Sequence, residues 1–150
     1  MNGRCLVDTN VLVYAYDRSE PEKQVRALNV LDRLAETQRG TITAQVMAEF
    51  FVAVTRKIPA PLSPAQAMER LQNYWLSWQV LDLTPMIVLE AARGVRDHQF
   101  SYWDAQIWAA ARLNQIPVVL SEDFNSGATT EGVSFLNPLE AGVELGERLG

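Results

Sequence analysis

Short apolar runs alternate with helix-length amphipathic segments along the chain, and that alternation points to an α/β domain with a mostly parallel sheet. Residues 4–7 form an apolar run that ends on Asp8, and residues 116–120 form one that ends on Ser121-Glu122-Asp123. Both have the length of a buried strand. Residues 79–83 and 133–136 read the same way, and Thr41-Ile42-Thr43 is a further candidate strand. In open parallel sheets, ligands bind beyond the carboxyl ends of the strands. Asp8 and Asp123 fall there and are the first pointers to a site.

The intervening segments carry helix signals. Asp8-Thr9-Asn10 offers capping side chains to a helix over 11–16. Ser19-Glu20-Pro21-Glu22 combines a capping box with Pro in the first turn, and predicts a helix that Gly40 stops after Arg39. Val25, Leu28, Leu31 and Leu34 supply its apolar stripe. Residues 44–56 place Val46, Phe50, Ala53 and Val54 on one helical face. Ser63-Pro64-Ala65-Gln66 starts another helix, which carries Met68, Leu71, Tyr74 and Trp75. Thr84-Pro85 opens a helix to about Arg96, Ser101 opens one through Leu113, and Gly127 and Gly132 flank a loop. There is no repeat, linker or low-complexity tract. The reading is one domain over 1–138 and a tail over 139–150 with weak signals.

Composition removes several classes. A length of 150 residues suits one core, and no apolar run approaches the roughly 18 residues of a membrane span. The single cysteine, Cys5, rules out an internal disulfide and fits a reducing cytoplasm. A net charge of −5 argues against a broad phosphate-gripping surface. It leaves room for an enzyme whose positive charge comes from bound cations.

Four acids stand out, each with an ordinary structural role beside the chemical one. Asp8 serves equally as a helix cap, and Asp123 as a turn acid. Asp104 is the acidic member of a capping box begun by Ser101, yet it shares a helical stripe with Ile107, Trp108 and Ala111. Glu49 lies between Val46 and Ala53 on an apolar face, where burial is costly without a partner. Glu122 points to the other side of an extended strand end and is the poorer candidate. Two carboxylates about 4 Å apart repel by roughly 4 kcal/mol at an effective dielectric of 20, so four converging acids call for a cation. Hard oxygen donors without a Cys or His cluster suit Mg²⁺ or Mn²⁺, ions that stabilise charge on a phosphodiester. Other chemistries lack their parts: His98 is the sole histidine, and neither a G-x-S-x-G elbow nor a phosphate-cradling glycine loop is present. Trp75, Trp78, Trp103 and Trp108 sit in helical settings, where core packing is the expectation for most of them.

With these acids, the stretches LVDTNVLVYA, TAQVMAEFFVAVTRK, SYWDAQIWAAARLNQIPVVLSEDF and EGVSFLNPL resemble the PIN-domain ribonucleases, and among them the VapC-like toxins of bacterial toxin–antitoxin pairs. The likeness covers residues 5–138. It implies a three-layer PIN-like fold, with a short, mostly parallel sheet flanked by helices. It also implies a metal-dependent endoribonuclease in which Asp8, Glu49, Asp104 and Asp123 are catalytic and bind Mg²⁺ or Mn²⁺. Asn10 and Ser121 match supporting polar positions. A homodimer, a small antitoxin protein and RNA as substrate are the implied partners. Two alternatives remain open: a PIN-like module that binds RNA or protein without cutting, and a phosphatase using a strand-end aspartate. The latter usually carries Asp-x-Asp, where this chain has Asp8-Thr9-Asn10.

Overall fold

The computed structural model describes residues 3–141. In chain order the elements are β1 (Cys5–Val7), α1 (Thr9–Tyr14), α2 (Pro21–Thr37), β2 (Gly40–Thr43), α3 (Ala44–Arg56) and α4 (Pro64–Ser77). There follow β3 (Gln79–Leu81), α5 (Pro85–His98), α6 (Tyr102–Leu113), β4 (Val118–Leu120), β5 (Thr129–Thr130) and β6 (Val133–Leu136). The six strands form one sheet in the order β3-β2-β1-β4-β6-β5, parallel except where β5 meets β6. From β1 the chain moves outward to β2 and β3, then returns through α5 and α6 to place β4 on the other side of β1. The strand order therefore reverses between β1 and β4, the place where such sheets bind ligands.

Cys5, Leu6 and Val7 are all buried. Successive strand side chains point to opposite faces, so β1 is covered on both. This is the α/β sheet flanked by helices that the sequence predicts. The helix starts at Ser63, Thr84 and Ser101 are confirmed, each with its hydroxyl accepting a backbone N–H of the first turn. At Ser63 the box closes, because Gln66 returns a bond to the Ser63 N–H.

Several local expectations need correction. The box at Ser19 does not form. The Ser19 hydroxyl bonds to Asp17 instead, and α2 begins at Pro21 without a side-chain cap. Gly40 does not stop α2; Gln38 does, in a left-handed conformation with φ of 57°. Gly40 opens β2, where a Cβ would lie 2.6 Å from the Trp78 ring. The stripe of α2 is also rotated: Ala27, Val30, Leu31 and Leu34 are buried, while Val25 and Leu28 face outward. The segment between Gly127 and Gly132 holds β5, which turns back on β6. The first helix covers Thr9–Tyr14, starting two residues before the expected 11–16. Leu139 is buried and its carbonyl accepts from Arg26, so packing continues past Pro138. Of the tail assigned to 139–150, residues 142–150 lie outside the described residues. Among the described residues, no helix is long and apolar enough to cross a membrane.

α5 and α6 approach closely through Gly94, which faces the fully buried ring of Trp108. The indole N–H donates to the Thr130 carbonyl at 3.2 Å, so this ring cannot retreat without stranding a polar group. A Cβ at position 94 would lie 2.8 Å from Trp108 Cζ3. Alanine is a better helix former than glycine by up to about 1 kcal/mol. Overpacking a fixed ring costs roughly 1–3 kcal/mol and outweighs that gain. Gly94→Ala should therefore lower the urea midpoint; a rise would mean that the ring shifts freely.

Candidate active site

Parallel pairing of Val7 with Leu120 brings the ends of β1 and β4 side by side, and the Asp8 N–H donates to the Leu120 carbonyl at 2.9 Å. Asp8 caps α1, with Oδ1 accepting the Thr9 N–H at 2.8 Å. Its other oxygen, Oδ2, accepts the Ser121 hydroxyl at 2.8 Å. Ser121 is almost fully buried, and its Oγ also accepts the Asp123 N–H and the Asn10 side-chain amide. Asn10 donates onward to Asp123 Oδ2 at 3.2 Å and accepts the Glu122 N–H. Asn10 and Ser121 thus fasten the two strand ends to each other. They hold Asp8 and Asp123 in fixed relation.

Asp104 reaches the same point from the first turn of α6. Ser101 caps that helix, but the returning bond that would complete a box is missing. The Asp104 carboxylate is left for other work. One carboxylate oxygen each from Asp8, Asp104 and Asp123 lie within 4.8 Å of one another. Glu49 stands apart from this trio, with Oε1 accepting the Thr9 hydroxyl at 3.0 Å. Of the four acids named from sequence, three converge directly and Glu49 flanks Asp8 on the α3 side. Glu122 pairs with Lys23 at 3.3 Å and is not one of the three.

Electrostatics agree with crowding. Burial pushes the Asp8 carboxyl up to about 6, helped by the charges of Asp123 and Glu49 and opposed by the bonds from Ser121 and Thr9. Burial also raises Asp104; Ser101 opposes that shift and the Asp123 charge adds to it. In metal-free protein, the folded state then holds the Asp8 proton more tightly than the unfolded chain. Stability falls as pH rises from about 4 to about 6 and stays lowered above that window. At about 1.4 kcal/mol per unit, the cost reaches up to about 3 kcal/mol. In EDTA, Asp8→Asn should melt higher than the native protein at pH 7.5 and lose much of the difference between pH 5 and 7.5. A lower melting point at pH 7.5 would show that the Asp8 hydrogen bonds outweigh its repulsions.

The trio opens into a cleft of about 400 Å³ whose walls include Tyr14, Lys57 and Trp103. Two residues of this site escape the sequence reading. Thr9 holds Glu49, a role with no signal in the pattern. Trp103 is 61% exposed on the cleft wall, whereas Trp108 is core. Its position one residue off the Asp104–Ile107–Trp108–Ala111 stripe was the available clue. Trp75 is exposed too, and Trp78 only partly buried, so core packing fits fewer of the tryptophans than expected. His98 lies in a separate group with Glu131, Phe100 and Trp108.

Solved structures share the fold. A toxin–antitoxin complex from Klebsiella pneumoniae superposes with a TM-score of 0.65 at 16% identity, over 89% of this chain and 97% of that one. VapC20 of Mycobacterium tuberculosis, described as a sarcin–ricin-loop-cleaving toxin, gives 0.63 at 17% identity, over 85% and 97%. DNA-bound VapBC from Salmonella typhimurium gives 0.60 at 15% identity, over 88% and 96%. No curated protein matches by sequence. The PIN domain family matches residues 5–127, from the start of β1 through the acidic turn after β4, and the chain belongs to that family.

Proposed function

We propose that this protein is a metal-dependent endoribonuclease and the toxin of a toxin–antitoxin pair. The observation that carries the reading is the convergence of Asp8, Asp104 and Asp123 where the strand order reverses. Membership of the PIN family supports it, as do structural relatives described as toxins or toxin–antitoxin complexes. The three acids fit a hard divalent cation: all donors are carboxylate oxygens, and their mutual repulsion is relieved by positive charge. They would hold Mg²⁺ or Mn²⁺, with Glu49 as the fourth acid beside Asp8. When bound, the ion supplies charge stabilisation to the phosphodiester and lowers the pKa of attacking water. Asn10 and Ser121 keep Asp8 and Asp123 oriented, and Lys57 on the cleft wall offers a cation to flanking phosphates.

The toxin reading brings RNA as substrate, a small antitoxin, a homodimer and a cytoplasmic setting. Exposed apolar side chains on α4 and α5, among them Met68, Trp75, Leu76, Met86 and Leu89, support a protein partner. The test is RNA cleavage by purified protein, with cut ends mapped. Cleavage should stop in EDTA and return with Mg²⁺ or Mn²⁺. Full cleavage in excess chelator would remove the metal, and no cleavage of any RNA would remove the nuclease. The gene next to this one should encode a small protein that blocks cleavage when co-expressed.

A further inference from the structure

A second, narrower crevice shares Asp8, Glu49 and Trp103 with the main cleft and is lined by residues of α3 and α6 and by Asp82 and Leu83 after β3. Its enclosed part is small, about 20 Å³, enough for a single water molecule. Its polar lining is unusual. Gln106 is only 6% exposed and borders the crevice, yet its carboxamide atoms are not among the buried ones left without a partner; they keep contact with solvent there and bond to no other described residue. Gln45 lines the same crevice, and its side chain bonds to no other described residue. At the mouth stands Trp103, which borders both this crevice and the main cleft beside Asp104. Among the described residues its ring meets one aromatic neighbour, Tyr102, in a T-shaped contact, and no ring stacks flat on it.

A flat aromatic surface next to unused carboxamides is the chemistry of base recognition: the ring stacks on a base, and an amide pairs with its edge as donor and acceptor together. Single-stranded RNA is read in this way, with bases splayed onto aromatic side chains. We propose that the mouth of this crevice is a nucleobase subsite. Trp103 stacks on the base of a nucleotide adjoining the scissile phosphate, and Gln106, with Gln45 beside it, hydrogen-bonds the base edge. The base sits at the mouth, since the floor admits only water. This subsite rests on the ribonuclease reading and adds sequence preference to it.

The experiment uses the full chain with Mg²⁺ or Mn²⁺ and an RNA pool containing a randomised stretch, with cut ends sequenced and steady-state kinetics measured on one cleaved sequence. Trp103→Ala should lower kcat/KM about tenfold or more, mainly through KM, and Trp103→Phe should restore most of it. Gln106→Leu, which keeps volume and removes the amide, should flatten the base preference beside the cut while cleavage continues. Because Trp103 is exposed, its variants should melt like the native protein. No cleavage by the native chain would overturn the nuclease reading and the subsite with it. Native-like kinetics for Trp103→Ala would overturn the subsite alone. The same holds if that variant cuts normally but loses a protein partner, or if Gln106→Leu keeps the native base preference.

Discussion

Asp104→Asn should fold normally and cut RNA at least a hundredfold more slowly than the native protein. The asparagine keeps shape and volume, and Ser101 caps α6 with or without the carboxylate, so helix stability is not at stake. The change removes a charge that burial and Asp123 already disfavour, so metal-free protein should melt at the same temperature or higher. Under the proposed metal-dependent mechanism, the carboxylate itself is what the cation needs. Changes to groups that merely support metal ligands cost 10- to 100-fold, and loss of a ligand costs more. Cleavage assays beside thermal melts of the same preparation separate the two effects. A stable variant with full activity would return Asp104 to a purely structural role.

Saturating Mn²⁺ should raise the melting temperature of the native protein by roughly 8–11 °C. A ligand that binds only the folded state stabilises by about 2.7 kcal/mol at a hundredfold excess over Kd. For a chain of this length each kcal/mol moves the midpoint by about 3–4 °C. Asp8→Asn, Asp104→Asn and Asp123→Asn should each shrink the rise, because each removes an oxygen from the converging set. Glu122→Gln should keep it, since Glu122 pairs with Lys23 instead. A uniform response across all four variants would mean that the three acids share no ion.

What the sequence discloses here depends on how local the deciding physics is. Ser63 and Gln66 complete their box within one helical turn, so four residues suffice to foresee it. Asp8 and Asp123 were visible because an acid at the end of an apolar strand is placed by the fold class alone. The start of α2 at Pro21 is legible as well, but the capping box expected before it is not formed, because Asp17 takes the Ser19 hydroxyl. The buried face of α2 was misjudged for a different reason: two offset stripes satisfy the same helical period, and packing selects between them. Glu49 carries a similar lesson. Its inward face was legible, but Thr9, 40 positions away, decides where its carboxylate rests. Trp103 and Trp108 share a helix and a residue type, and only their angle around the axis separates a cleft wall from a core.

The bond between Ser121 and Asp8 spans 113 residues of chain. As the polypeptide leaves the ribosome, Asp8 emerges well before Asp104, Ser121 and Asp123, so no product that stops short of Asp123 can assemble the trio. Cutting ability would then arrive in one step, once β4 has slotted beside β1. The same geometry makes the strand pair a point of disarmament: anything that peels β4 away scatters the acids without touching one of them.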